Sequence, residues 1–312
     1  MSQNANSVHT APGASGATSA PNASSPFWRT IRALLRDRLA LTGLIITGLL
    51  VLAAVFAPLL AMQNPYDLAQ LDIMDGRLAP GSQSMSGMTY LLGTDDQGRD
   101  LFSAILYGLR TSILVGLLSA AIALVIGASI GLISAYAGGR VDAVLMRIVD
   151  IQLSFPTILI ALIFLAVLGQ GIDKIIIALV VTQWAYYART VRGSALIESK
   201  RAYIDAARAM ALPDRRIIFR HILPNCLPPL IVVATMRVAY AIMLEATLSF
   251  LGIGLPVTEP SLGLLISNGF EYMMSGDYWI SVFPGITLLL LIVGINLIGD
   301  ALRDILNPRR EG

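Results

Sequence analysis

The side chains in this sequence that could do chemistry are few and scattered. His9 and His221 are too few and too far apart for a histidine-based metal site, and there is no cysteine-rich metal site. The single cysteine, Cys226, excludes an intramolecular disulfide; it reads as a small apolar filler where a span begins. No nucleophile stands at suggestive spacing from His221, so no catalytic constellation forms. There is no GxxxxGK[ST] loop to cradle a nucleotide phosphate, and Gly252-Ile253-Gly254 lacks the strand–turn–helix setting of a dinucleotide site. What remains is charge in unusual places. Arg237 and Glu245 both fall within the apolar stretch 227–251. On one helix they stand about 12 Å apart by rise, too far to pair without a kink. Each therefore needs a contact from another helix or a polar cavity between subunits; Glu245 could instead hydrate near the external interface. Gln183 and Asn296 are the other polar side chains taken as candidates for a path or for intramembrane contacts.

The elements that must position these residues follow from composition. Of 312 residues, 55% are hydrophobic and 13% charged, and the mean hydropathy is +0.71. A soluble domain carries roughly twice that charged fraction. The pattern predicts an all-α integral membrane protein with six transmembrane helices, at 39–60, 112–137, 141–168, 175–191, 227–251 and 279–302. Residues 1–26 read as a disordered tail that lacks the basic start and apolar run of a signal peptide. Residues 27–38 (FWRTIRALLRDR) place Phe27, Trp28, Ile31, Leu34 and Leu35 on one helical face with arginines beside them. That is the pattern of an amphipathic surface helix, or simply of the basic flank of the first span. Residues 61–107 form an external region with turns at Pro80-Gly81 and Ser86-Gly87, and 108–308 hold the core spans. Gly116, Ser119, Ala120, Ala123, Gly127 and Gly131 make the second span fit for close helix packing. Pro156 should bend or interrupt the third. Trp184, Tyr186 and Tyr187 read as an interfacial belt rather than a path lining, and 262–274 as a re-entrant or surface helix.

Residues 194–228 are too densely basic for hydrocarbon, with Lys200, Arg201, Arg208, Arg215, Arg216 and Arg220. Yet 202–211 is rich in helix formers, and Ile197, Ile204, Ala207 and Ala211 fall at helical spacing. Pro213 should break that helix, Asp214 should cap a second one, and Pro224 should stop it. Two short helices held by a span on each side make a firm knob on which a partner protein could push. The plain alternative is a solvated basic loop.

Three strings carry a resemblance. Asp205-Ala206-Ala207, Ala211 and His221-Ile222-Leu223-Pro224 are similar to the "EAA" coupling loop of binding-protein-dependent ABC import permeases, with Asp205 in place of the usual Glu and Ala211 in place of the usual Gly. LGTD-DQGRD at 92–100 resembles the N-terminal signature of that family's peptide and nickel branch, and SFLGIGLP at 249–256 resembles the same family. The likeness covers roughly 39–308. By its physics alone, the 94–100 run is a turn in which Asp95 or Asp96 caps and Arg99 pairs locally; the ligand spacing of a calcium loop is absent.

The resemblance implies the type I importer transmembrane fold and a permease subunit, similar to the C-type dipeptide permease, that is not itself an enzyme. It implies a homologous second permease, two cytosolic ATPases that hold the ATP and magnesium, and an external solute-binding protein. No cofactor would sit on this chain, and nucleic acid has no part. The substrate would be a dipeptide or short oligopeptide; nickel, glutathione and other small solutes are the alternatives within the same machinery. The loop 193–225, with Asp205, Ala206, Ala207, Ala211, His221 and Pro224, would be the contact to the ATPases. Most of the 22 Lys and Arg fall on the side of both termini, which places the termini in the cytoplasm, and the resemblance implies a bacterial inner membrane. An ion-coupled secondary transporter would need inverted repeats and midplane ion ligands, of which no clear repeat is seen. A purely structural membrane subunit is a further alternative.

Overall fold

A computed structural model describes residues 26–67, 71–84 and 87–306; the tail expected over 1–26 lies outside them but for Pro26, as does the basic end at Arg309 and Arg310. α1 (Pro26–Arg36) is a helix over most of the stretch 27–38 and packs on α2 and α12. Asp37 then accepts the amides of Leu39 and Ala40, at 2.8 and 3.0 Å, and starts α2 (Arg38–Val55). The first span stops at Phe56, short of the expected residue 60. Pro58 opens a separate single turn, α3 (Ala57–Leu60).

Between 61 and 100 the chain forms a small packed unit with two isolated bridges, Gln83–Thr89 and Thr94–Asp100. Asp75 holds it from inside, accepting from Ser84 Oγ at 2.5 Å and Tyr90 Oη at 3.0 Å. Arg99 pairs with Asp95 at 2.6 Å as expected, and both are buried. Asp95 also caps this turn as expected, its Oδ1 accepting the amides of Gln97 and Arg99 at 2.9 Å each, while Asp100 caps the next helix by accepting the Ser103 amide at 2.9 Å. Helix α4 (Leu101–Ala137) accordingly begins eleven residues before the predicted span, inside what the sequence assigned to the external region.

α4 is the central post. Gly127 and Gly131 face α7 (Ile172–Glu198), and at both the approach is so close that only glycine fits. A Cβ on Gly127 would stand 2.3 Å from the Trp184 carbonyl, and one on Gly131 would stand 2.5 Å from that of Ala188. This explains why the expected aromatic belt is not one. α7 is an inner helix: Tyr187 is fully buried against α4, and Trp184 packs between two core clusters.

Pro156 breaks the third span decisively. α5 (Gly139–Ser154) and α6 (Thr157–Leu168) meet at 89°. The 12 residues of α6 rise only about 18 Å, less than a bilayer's apolar thickness. The polar α5 is fastened to α7: Arg192 reaches Asp142 with two bonds of 2.5 and 2.6 Å, and Arg189 pairs with Asp150. α8 (Ala202–Ala209) and α9 (Asp214–Ile217) follow α7. α10 (Leu223–Phe250), the short α11 (Leu262–Phe270) and α12 (Trp279–Leu306) complete the chain. Among the described residues α2, α4, the unbroken 214–250 helix and α12 are long and apolar enough to cross a membrane, and the bent α5–α6 pair makes a fifth only when its two helices are counted as one broken span. α7, the remaining segment of the six-span count, is long enough at 27 residues but more polar.

The predicted stop at Pro224 does not occur. Pro224 brings no amide hydrogen, and the chain answers by widening the preceding turn, so that Leu223 donates to Ile218 five residues back. The helix then runs on through Pro228 and Pro229.

Candidate functional site

Residues 199–222 stand as a knob whose root is buried and whose crown is exposed. In α8 the inward residues are Ile204 and Ala207, packed with Val191, Ala195, Ile217 and Ile222. Of the four residues expected on the apolar stripe, Ile197 and Ala211 are exposed and only Ile204 and Ala207 are buried. Ala207, the small residue predicted to enter a partner's cleft, is 3% exposed and fills this chain's own core. The crown carries Ala206 and Asp205 instead, with Met210 at 68% and Phe219 at 65% exposure, ringed by Lys200, Arg215, Arg216 and Arg220. Asp205 lies beside Arg208 at 3.8 Å with both side chains well hydrated, so the pair restrains little.

At the end of α8, Ala211 stands where the resemblance would have placed a glycine. Ala211 has φ of 52°, so it is not ordinary helix. Leu212 N–H donates to Ala207 O at 3.2 Å and Ala211 N–H to Arg208 O at 2.9 Å, the paired bonds of a helix end closed by a left-handed residue. Leu212 folds back onto the cluster that holds Ala207. Glycine takes this conformation freely, whereas alanine is strained by roughly 1–2 kcal/mol. Ala211→Gly should therefore firm the knob by about 1 kcal/mol once glycine's larger unfolded-state entropy is counted. Hydrogen exchange of the 202–212 amides should slow roughly fivefold. Unchanged or faster exchange would contradict the strain.

A polar frame ties the knob to three spans. Tyr136, at the end of α4, donates to Asp214, and Arg208 lies over the Tyr136 ring at 5.9 Å. Tyr203 donates to Glu198 at the end of α7 and accepts from Asn225 Nδ2 in α10 at 3.0 Å. Asn225 also donates to the His221 carbonyl at 2.7 Å, and the His221 ring lies 6.3 Å from that of Tyr203. Burial, and then the bond to Glu198, push the Tyr203 phenol up to about 12, so it remains a donor at neutral pH. Asp214 is thus a tether and not a helix cap. Sequence reasoning missed Tyr136, Glu198, Tyr203 and Asn225. Only the spacing of Tyr203 and Glu198, five residues apart, could have hinted at any of these contacts.

The in-span polar residues separate into distinct roles. Glu245 is fully buried and does not hydrate at an interface. Its Oε2 accepts from Ser112 Oγ of α4 at 2.8 Å and its Oε1 from Ser249 Oγ at 2.9 Å. Ser261, which caps α11, places a third hydroxyl at the carboxylate. Gln183 is also buried, with no hydrogen-bond partner for either amide atom among the described residues. Asn296 is exposed on α12. Arg237 lies half-buried with its guanidinium carbon 3.4 Å from the centre of the Tyr186 ring and 5.3 Å from that of Tyr240. Arg237 and Glu245 are not brought together, and no metal-binding cluster of three His, Cys, Asp or Glu occurs among the described residues.

Nothing in this geometry performs bond chemistry. It offers a held knob and a set of packed spans, which is machinery for movement. Comparison with known proteins agrees. The family described as "Binding-protein-dependent transport system inner membrane component" matches residues 123–312, and "N-terminal TM domain of oligopeptide transport permease C" matches 25–80. The dipeptide transport system permease protein DppC of Escherichia coli K12 is 38% identical over 284 residues, 91% of this chain and 92% of that one. The di/tripeptide permease DppC of Pseudomonas aeruginosa is 36% identical over 97% of this chain and 98% of its own length. Among solved structures, the inward-facing MetNI methionine ABC transporter matches 65% of this chain and 96% of the compared chain, with a TM-score of 0.53 and 22% identity, a likeness of fold. The chain belongs to the binding-protein-dependent ABC importer permeases, in their peptide branch, and is a multi-pass inner-membrane transport subunit rather than an enzyme.

Proposed function

We propose that this chain is one of two homologous permeases of an ATP-driven importer for dipeptides or short oligopeptides. Two cytosolic ATPases hold the ATP and magnesium, and an external binding protein delivers the peptide. The observation that carries the coupling reading is the knob: an exposed apolar crown of Ala206, Met210 and Phe219 set among unpaired-looking basic residues, on a root locked to α4, α7 and α10. Large exposed apolar side chains outside the spans mark a protein contact. A force on α8 reaches the ends of three spans through Tyr136, Glu198 and Asn225, which suits alternating access by rigid-element motion. The peptide reading is supported by the names of the relatives, which are dipeptide and di/tripeptide permeases.

The test is uptake. The complex reconstituted in liposomes with its partner subunits and loaded binding protein should import labelled dipeptide only with ATP. Import of nickel or glutathione but no peptide would replace the substrate and keep the machinery. The orientation is testable separately in a Cys226→Ser background. An impermeant thiol reagent should label Gln83→Cys in intact cells and Lys200→Cys only after permeabilisation, both sites being exposed. The reverse pattern would overturn the cytoplasmic placement of the knob.

A further inference from the structure

We propose that Arg237, held between Tyr186 and Tyr240, is a carboxylate-binding site midway along the transport path, and that it takes the free C-terminal carboxylate of a peptide in transit. The inference rests on the peptide reading above and adds a place and a chemistry to it. Arg237 stands about 20 Å from either end of α10, so its charge lies deep in the membrane. A guanidinium there costs several kcal/mol facing lipid and must face protein or water. Its guanidinium carbon stands 3.4 Å from the centre of the Tyr186 ring, a cation–π contact that holds the group without using its N–H donors on an acid. No acidic side chain pairs with it among the described residues, in contrast to Arg99, Arg189 and Arg192, each of which has one. A planar fork of donors without an acid is built for bidentate capture of a carboxylate.

There is also room and a route. A cavity of about 350 Å³ opens on Arg237, lined with Tyr186, Val233, Met236 and Tyr240, a volume at the small end of ligand sites. A second cavity of about 650 Å³ shares Val233 and Met236 and continues past Pro229 to Asn225, beside the knob. Asn225, Pro229, Val233, Met236 and Tyr240 recur every three or four residues, so one face of α10 lines both cavities. An anion held at Arg237 thus sits at one end of a continuous lined face that leads toward the coupling knob.

Thermal stability of the purified complex without binding protein tests this, with dialanine and its C-terminal amide as probes at tens of millimolar. In the wild type the free acid should raise the melting midpoint by about 2–4 °C and the amide should not. Arg237→Gln should abolish the difference, and Arg237→Lys, which keeps the charge but loses the fork, should retain part of it. Equal shifts by acid and amide, or no shift by either, would overturn the proposal. So would a ligand-free Arg237→Gln complex that melts earlier or fails to assemble in both variants, because the carboxylate would then belong to the partner permease. Dipeptide uptake by the same wild-type complex, reconstituted in liposomes with its binding protein, separates these outcomes from a failure of the peptide reading itself.

Discussion

Ala206→Trp should leave the protein folded and in the membrane at its normal level and should abolish most substrate-stimulated ATP hydrolysis by the assembled importer. Ala206 is exposed on the crown of the knob, so an indole there meets nothing in this chain. If the crown enters a cleft of the ATPase, the added bulk overpacks that contact and costs about 2 kcal/mol, roughly thirtyfold in affinity. Its neighbour supplies the control. Ala207 lies in the cluster with Val191, Ala195, Ile217 and Ile222, so Ala207→Trp should lower the melting midpoint of the isolated permease as well as its coupling. The two variants therefore separate a partner contact from an internal one, which a substitution at Ala207 alone cannot do. Wild-type stimulation in Ala206→Trp, measured at saturating peptide and binding protein, would return the knob to the status of a solvated basic loop.

Glu245→Ala should cost the permease the ordered end where α10 meets α11. The carboxylate is the common acceptor of Ser112 on α4 and Ser249 on α10, with the Ser261 hydroxyl at the cap of α11 beside it. Removing it leaves buried hydroxyls without their acceptor, at about 1–3 kcal/mol each, and opens a cavity where water is scarce. The site cannot collapse to fill that space. A Cβ on Gly263 would already stand 2.2 Å from the Ala246 carbonyl, so α11 and α10 are in backbone contact. The expected result is a fall in the melting midpoint of several degrees, with protease sensitivity appearing first around 252–278. Glu245→Gln keeps the shape and one carbonyl acceptor and should retain most of the stability. Protection of 252–278 in Glu245→Ala equal to that of the wild type would show that the carboxylate is not what docks α11.

Pro156 was legible as a break because a proline's missing amide acts on its own helix, and the right-angled turn between α5 and α6 bears it out. The small residues of α4 were legible as a packing face because their spacing is helical, and Gly127 and Gly131 are where α7 closes in. Ala211 was recognisable as a departure from glycine, but its positive φ was not, since a left-handed residue is imposed by how Leu212 must fold back. Pro224 misled the same local reasoning. A widened turn re-registered the backbone bonds, and buried neighbours on both sides kept the helix whole. Asp95 was legible both as the cap of its own turn and as the partner of Arg99, because both contacts are local.

The sequence by itself determined membrane insertion, the approximate spans, the dense basic charge of the knob, and the family. Each follows from hydropathy, charge and short strings, which are properties of residues close together in the chain. Tertiary structure alone decided which face of α8 is root and which is crown. It also decided that Tyr187 is core while Tyr186 supports Arg237, and that Glu245 is shared among helices rather than hydrated. Those outcomes depend on partners 51 and 133 residues distant for Arg237 and Glu245, read as Tyr186 and Ser112. Helical periodicity gives a side chain its face, but only the packing of one helix on another says what that face meets, and burial energies act on the meeting.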